Sequence, residues 1–193
     1  MEKTEIIKEE IAYKRYLQIV QRSVKHADGK TVEWDVLATP ATYNRDGPAF
    51  VAVMPYHSED QTVTLVREYC QGPDAFLYTV PAGMFDVRKH SSPQEAAEHE
   101  MSEEARLERG KWTPLLHKDS VGITDLKMSA NRYVCWLVED PIPCSGMERD
   151  AEEYMTVERM SFSRVKELIR QGLVLPTAVT VLFLGMDVLG LVQ

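Results

Sequence analysis

Residues 81–107 read PAGMFDVRKHSSPQEAAEHEMSEEARL, in which a glycine-containing loop precedes a helical stretch rich in glutamate. Ser92 suits the N-cap of a helix, Pro93 suits the first helical position, and Glu95 completes a Ser-x-x-Glu capping box. We therefore predict a helix that begins after Ser92 and continues to about Glu108.

Glutamates crowd one side of this predicted helix. On a helical wheel Glu100, Glu103 and Glu104 share a side, and no Lys or Arg lies four residues after any of them. Like charges at that spacing destabilise a helix by about 0.2 to 0.5 kcal/mol per pair. Two interpretations are open: a solvated acidic face, or a site for a hard cation such as Mg²⁺, which takes oxygen ligands and would relieve the repulsion.

The flanking segments predict strands and two further helices. Predicted strands cover 13–24, 31–38, 49–56, 61–69, a segment that breaks at Pro81, 132–140 and 153–162; predicted helices cover 162–172 and 173–191. The order along the chain is strands, one helix, more strands and then closing helices. This order is typical of an α+β domain.

Composition limits the classes of function. The chain has 193 residues, of which 44% are apolar and 27% charged, so it is able to bury a core. Its net charge of -8 and pI near 5.2 argue against a long basic groove for nucleic acid. The same values leave a small polyphosphate ligand possible if a metal screens its charge. We expect no nucleic-acid partner.

The apolar segment 173–191 is nearly long enough to cross a bilayer. Pro176 near its start, Asp187 inside it and the lack of a flanking basic cluster favour a buried closing helix, so we expect no membrane partner. The first ten residues, MEKTEIIKEE, are too charged for a secretory signal. The three cysteines are an odd number and lack metal-ligand spacing: Cys70, Cys135 and Cys144. With no secretory signal at the start, we predict a cytoplasmic protein with reduced thiols.

From Pro81 onward the sequence resembles the Nudix box, G-x5-E-x7-R-E-U-x-E-E-x-G-U, where U is aliphatic. Gly83 supplies the first glycine, and residues 100–104 (EMSEE) supply E-U-x-E-E. The order of the surrounding segments, from GKTVEWDV to EEYMTVERMSFSRVKELIRQG, is similar to that of the ADP-ribose and ADP-sugar pyrophosphatase branch.

The resemblance implies an α+β Nudix fold, a mixed β-sheet sandwich flanked by helices (α/β/α), with an N-terminal strand pair. It also implies two parts: residues 1–40 as a dimerising β element and residues 41–193 as the hydrolase domain. The expected protein is a homodimer.

Three positions depart from the box: Lys89 replaces its first Glu, His99 replaces its Arg, and Arg106 replaces its late Gly. In the family that Glu and Arg are thought to brace the loop against the helix. Because both partners changed together, we interpret the change as a rebuilt brace with the metal site kept. Drift towards a protein without catalysis is the alternative interpretation.

The resemblance also implies the residues that hold metal and activate water. Mg²⁺ or Mn²⁺ would be held by Glu100, Glu104, the neighbouring Glu103 and the Ala82 carbonyl. A loop acid after the box would serve as the base for the attacking water, with Glu153 as first choice and Glu152 as alternate. Glu103 is a further catalytic candidate.

Substrate contacts follow from the same resemblance. Trp34 and Tyr16 are expected to stack on the base, one of them from the other subunit, and Asp35 to accept from an exocyclic amine. Where the branch commonly has an arginine this chain has Cys70, and we consider Arg67 as its substitute. Gly83 and Met84 complete the predicted substrate contacts.

The function implied is a Mg²⁺-dependent pyrophosphohydrolase of nucleoside diphosphate sugars, of the ADP-ribose and ADP-sugar class, which yields a nucleoside monophosphate and a sugar phosphate. The alternative is a Nudix-fold module that binds a nucleotide or a protein without turnover.

Overall fold

A computed structural model describes residues 4–39, 47–145 and 154–192. In chain order the elements are β1 (Glu5–Lys14), β2 (Gln18–Lys25), β3 (Thr31–Ala38), β4 (Phe50–His57), β5 (Thr62–Cys70), β6 (Ala75–Thr79), β7 (Ala82–Met84), α1 (Pro93–Ala105), β8 (Leu107–Glu108), β9 (Lys111–Pro114), β10 (Ile123–Thr124), β11 (Arg132–Glu139), β12 (Ile142–Pro143), β13 (Met155–Ser161), α2 (Phe162–Arg170) and α3 (Pro176–Val188).

The N-terminal sheet has three antiparallel strands in the order β1-β2-β3, so the predicted strand pair is one strand short. The chain turns at residues 15–17, which divides the predicted strand 13–24 into the end of β1 and the start of β2. Every residue of β1 except Glu9 is exposed. A strand without a buried face lacks the alternation by which a strand is recognised in sequence.

The end of β3 is hydrogen-bonded to the segment before β11. Leu37 N donates to Met128 O, and Ala130 N donates to Leu37 O, each at 2.8 Å. Thr39 N donates to the Asn131 side-chain oxygen at 3.2 Å. These bonds hold the N-terminal sheet against the rest of the chain; the predicted boundary at residues 40 and 41 lies outside the described residues.

The central sheet is mixed. Its main path runs β10-β11-β4-β5-β13, with β4 parallel to β11, and β6, β7 and β9 pair at its sides. β4 pairs with β5 only at Tyr56–Val63 and His57–Thr62. Beyond that point β5 pairs with β6 and β13, while the other end of β4 pairs with β7. The sheet therefore divides into two arms.

Helices cover both faces of the sheet. Successive side chains of β4 and β11 point to opposite faces, so they enter two different apolar cores. The core on the α1 side contains Val51, Val53, Ala96, Ala97, Met101, Trp136 and Val138. The core on the α2 and α3 side contains Ala52, Met54, Leu65, Leu137, Leu168, Val181 and Leu182. This is the α/β/α layering that the sequence predicts.

α3 is the buried closing helix predicted for residues 173–191. Its Val181 and Leu182 side chains are fully buried. No helix among the described residues is long and apolar enough to cross a membrane.

α1 begins as predicted and ends early. The Ser92 hydroxyl accepts from Glu95 N at 3.1 Å, and Pro93 stands in the first turn. The Glu95 carboxylate accepts from Ser91 N, not Ser92 N, at 2.6 Å, so the capping box is displaced by one residue on that side. The helix stops at Ala105, not Glu108, because Arg106 adopts a left-handed conformation with φ of 58°.

Candidate metal and nucleotide site

The loop of residues 81–84 and the acidic side of α1 are in direct contact. Ala82 N donates to Glu104 Oε2 at 2.9 Å, and the Glu104 side chain is buried. A Cβ atom on Gly83 would overlap the Glu100 carboxylate. A glycine is therefore needed at position 83 for the Glu100 carboxylate to lie this close to the loop backbone. The structure brings together Ala82, Gly83, Glu100 and Glu104, and their roles towards metal and substrate stay predictions.

The pairing of β7 with β4 determines the direction of the Ala82 carbonyl. Val53 N donates to Pro81 O at 2.9 Å, and Phe85 N donates to Ala49 O at 3.0 Å. Bonded and non-bonded positions alternate in an antiparallel pair, so Ala82, opposite Ala52, occupies a non-bonded position. Its N–H and carbonyl both point away from β4, towards the side on which the Glu104 carboxylate lies.

The donor atoms in this cluster suit a hard cation. Carboxylate and backbone carbonyl oxygens are ligands of Mg²⁺, which commonly uses one or two protein carboxylates and completes its shell with water and substrate phosphates. Within residues 4–39, 47–145 and 154–192, no group of three or more His, Cys, Asp or Glu side chains is arranged to hold a metal. Glu103 lies half-buried beside Glu104 on α1.

The loop between β7 and α1 is fixed from within. The buried Asp86 side chain accepts from Arg88 N at 2.9 Å and from the Arg88 guanidinium at 2.6 Å. These bonds hold the pKa of Asp86 well below its usual range. Lys89 N and His90 N both donate to Asp86 O at 2.9 Å.

Aromatic rings join this loop to α1. The His90 ring packs edge-on against the His99 ring, with centroids 5.3 Å apart, and the Phe85 ring stacks on His90 with centroids 6.4 Å apart. His99 therefore contacts the loop at the helix position where the box has arginine. The loop residue that His99 contacts is His90, which follows Lys89, the position at which the box has its first Glu.

Glu68 is a residue that the sequence analysis missed. It lies on β5 opposite Met155 of β13 and Leu77 of β6. Its side chain projects from the face opposite the one that packs on α2 and α3, and α1 contacts β5 and β13 from that side. Burial raises the pKa of the Glu68 carboxyl. In the sequence, residues 66–70 (VREYC) mix polar and apolar side chains as the exposed end of a strand does. No sequence signal therefore distinguished Glu68.

The structure corrects the expectation for Arg67. Its guanidinium lies over the Phe76 ring, 4.9 Å from the centroid. Arg67 pairs with Tyr78, which belongs to the core on the α2 and α3 side, whereas Cys70 lies on the opposite face with Glu68. Residues an odd number of positions apart on a strand project from opposite faces, so Arg67 does not take the place left by Cys70.

Trp34 borders a cavity of about 360 Å³ at the face of the N-terminal sheet. It is half exposed, and the Lys127 ammonium lies over its ring, 5.7 Å from the centroid. Asp35 borders the cavity too, but Trp34 pairs with Arg22 and Asp35 with Gln21. The two side chains project from opposite faces of the strand, and the role of Asp35 towards an exocyclic amine stays a prediction.

Four predicted residues remain: Tyr16, Met84, Glu152 and Glu153. Tyr16 is 82% exposed in the turn between β1 and β2 and does not border the Trp34 cavity. Met84 ends β7, paired with Phe50. Glu152 and Glu153 lie outside the described residues and stay predictions.

The layers, the sheet order and the loop–helix contact together define an α+β domain of Nudix fold. The chain is similar to a crystal structure described as an ADP compounds hydrolase, with a TM-score of 0.72 and 20% sequence identity over 98% of this chain and 97% of that one. At this identity the similarity shows the fold, which confirms the fold predicted from residues 81–107. No family model matches the sequence, and no curated protein matches it.

Proposed function

We propose that this protein is a Mg²⁺-dependent pyrophosphohydrolase of nucleoside diphosphate sugars, which yields a nucleoside monophosphate and a sugar phosphate. The observation that carries the proposal is the contact of Ala82 and Gly83 with Glu104 and Glu100. The description of the structural neighbour as an ADP compounds hydrolase supports the ADP-ribose and ADP-sugar class as the first substrates to test.

In this proposal the Ala82 carbonyl, Glu100 and Glu104 hold the cation, with Mn²⁺ as a substitute for Mg²⁺, and Glu103 lies beside them. Such a cation would supply charge to screen the diphosphate and to make the attacking water more acidic. Gly83 leaves room for the Glu100 carboxylate at the loop. The Asp86 and His90 contacts hold the loop in place against α1.

A base must take the proton of the attacking water. The family resemblance assigns this role to Glu153, with Glu152 as alternate. Both precede β13, whose first residue, Met155, pairs with Glu68 on the α1 side of β5. Among the described elements, α1 contacts both β5 and β13.

A homodimer is part of the proposal. The N-terminal sheet exposes apolar side chains, with Ile7, Ile11 and Tyr13 of β1 each more than half exposed. The proposal requires that a second copy covers them and places its Tyr16 near the sheet that carries Trp34. Base stacking from two subunits, as the resemblance implies, requires this arrangement.

A binding module without turnover is the second candidate. Three observations favour it: the described residues lack a ready group of three metal-ligating side chains, Lys89 and His99 replace the usual pair, and Cys70 replaces an arginine. Such a module would bind nucleotides in calorimetry and form no product over hours.

The two candidates are separated by turnover with and without a chelator. We would measure phosphate release, with a phosphatase that attacks only the products, from ADP-ribose, ADP-glucose, UDP-glucose, NADH and diadenosine polyphosphates in Mg²⁺ or Mn²⁺. The proposal expects linear product formation that a chelator abolishes and added Mg²⁺ restores. Tight nucleotide binding with no product would favour the binding module.

A further inference from the structure

The cavity beside Trp34 has the size and lining of a small-molecule site. Its volume of about 360 Å³ falls in the range of roughly 300 to 1,000 Å³ that such sites occupy. Apolar atoms form most of its wall, although three of the seven residues that border it are charged. The residues that border it are Arg22, Val24, Trp34, Asp35, Val36, Lys127 and Met128.

The polar side chains on the Trp34 side of this cavity are hydrogen-bond donors. Arg22 and Trp34 are register partners and share one face of the sheet, and Arg22 Nε donates to Glu9 Oε1 at 2.7 Å. Lys127 extends over the Trp34 ring from the loop before β11. Guanidinium and ammonium groups donate and do not accept. The carboxylate of Asp35, the acceptor expected from the sequence, leaves the opposite face.

Lys127 is the one of these two donors that is free to follow a ligand. It is exposed, and its contact with Trp34 is an attraction between a cation and a ring, worth about 0.5 to 1 kcal/mol at such a site. A planar base stacked on Trp34 would displace the ammonium from the ring face to the edge of the base. There the ammonium donates to an acceptor and repels an amine.

We propose that Trp34 stacks the nucleobase and that Lys127 donates to its edge, so that this site prefers a 6-oxo purine, such as guanine, over adenine. Guanine presents O6 and N7, both acceptors, whereas adenine presents N7 beside an amine donor. The inference rests on the proposed function in one respect: that function is the reason to expect a nucleotide at the cavity. It adds sugars of a 6-oxo purine nucleoside diphosphate to the substrates to be tested and predicts that they are preferred over ADP-sugars.

IMP and AMP are the sharpest pair of probes, because the exocyclic group at position 6 is an oxygen in one and an amine in the other. We would measure their dissociation constants, and that of GMP, by calorimetry on the full chain. Quenching of Trp34 fluorescence would be checked against Trp34→Phe. A hydrogen bond from a charged donor predicts that IMP and GMP bind at least about tenfold more tightly than AMP.

Substitutions at Lys127 test the assignment. Lys127→Met keeps the length and apolar contact of the side chain and should bring the IMP and AMP constants to within about twofold of each other. Lys127→Glu supplies an acceptor and should reverse the preference. Lys166→Met, at an exposed position on α2, should leave the preference unchanged. Thermal melting of each variant checks that it is folded.

Three results would overturn the inference: AMP binding as tightly as IMP, an unchanged preference in Lys127→Met, or no binding of any of the three nucleotides. The proposed function fails separately. If IMP is preferred through Lys127 but no nucleotide sugar is hydrolysed, the base preference stands and the hydrolase proposal falls. If ADP- and GDP-sugars are hydrolysed equally, the hydrolase stands and the base preference falls.

Discussion

At the scale of single residues, Gly83 connects the loop to the acidic side of α1. A methyl group at this position would overlap the Glu100 carboxylate and push it away from the loop. The carboxylate is the far end of a flexible side chain, so it yields without disturbing the core. We predict that Gly83→Ala lowers metal-dependent turnover by about 100-fold, since displacing a reacting group by an ångström has an effect of this order. Its urea midpoint should stay close to that of the wild type.

The matched control is Gly72→Ala. A Cβ at Gly72 meets nothing within 4 Å, so this variant should keep both activity and stability. Equal activity in the Gly83 and Gly72 variants would show that Glu100 does not need its place at the loop.

Single side chains also show where prediction from sequence stops. The residues of the loop and helix that contact each other, Ala82, Gly83, Glu100 and Glu104, were predictable because their spacing along the chain is itself the pattern. Arg67 was misplaced because it lies an odd number of positions from Cys70, and such residues project from opposite faces of a strand. The order of residue types along the chain does not show which residues of neighbouring strands are paired.

At the scale of elements, the loop between β7 and α1 depends on Asp86. Its carboxylate accepts from Arg88, and its backbone carbonyl accepts from the backbone amides of Lys89 and His90. The pKa of Asp86 is lowered in the folded state, first by the side-chain bond with Arg88. The stabilisation it gives is therefore present above the unfolded-state pKa of about 4 and is lost as pH falls towards the folded-state pKa.

We predict that Asp86→Asn lowers the urea midpoint at pH 7, and that the difference from the wild type shrinks as pH falls below about 4. Chemical unfolding at a series of pH values measures this. Asp140→Asn is an instructive comparison, because the pKa of Asp140 is lowered by Ser58 in a different loop, and it should leave turnover unchanged. A stability difference in Asp86→Asn that does not vary with pH would contradict the account of this loop.

Elements were predicted best where their ends carry side-chain signals. Ser92 and Pro93 fixed the start of α1, but its end depends on the left-handed backbone of Arg106, a residue type that does not favour this conformation. β1 was not predicted because neither of its faces is buried within a single copy of the protein. The split of the sheet between β4 and β5 arises from long-range pairing, on which local sequence has little to say.

At the scale of the whole molecule, the exposed apolar side chains of the N-terminal sheet predict association. Exposed apolar patches of this kind are typical of surfaces that another protein covers. We predict a dimer mass in light scattering at micromolar concentration, and a dissociation constant raised at least tenfold by Ile11→Asp, since Ile11 is 58% exposed on β1. Val87→Asp, at an exposed position in the loop before α1, is the control and should stay dimeric. A wild-type monomer at these concentrations would contradict the homodimer.

The measurement that tests the central claim most directly is metal-dependent turnover of nucleotide sugars by Glu104→Gln beside Glu98→Gln. Glu104 is buried and accepts from Ala82 N, whereas Glu98 is exposed on the other side of α1 and accepts from the Gln94 amide at 3.1 Å. We predict that Glu104→Gln loses about 100-fold or more of the Mg²⁺-dependent rate, as removal of one preorganised electrostatic group commonly does, while Glu98→Gln stays within about twofold of the wild type. Full turnover in a folded Glu104→Gln protein would contradict the claim that this loop and helix hold the metal.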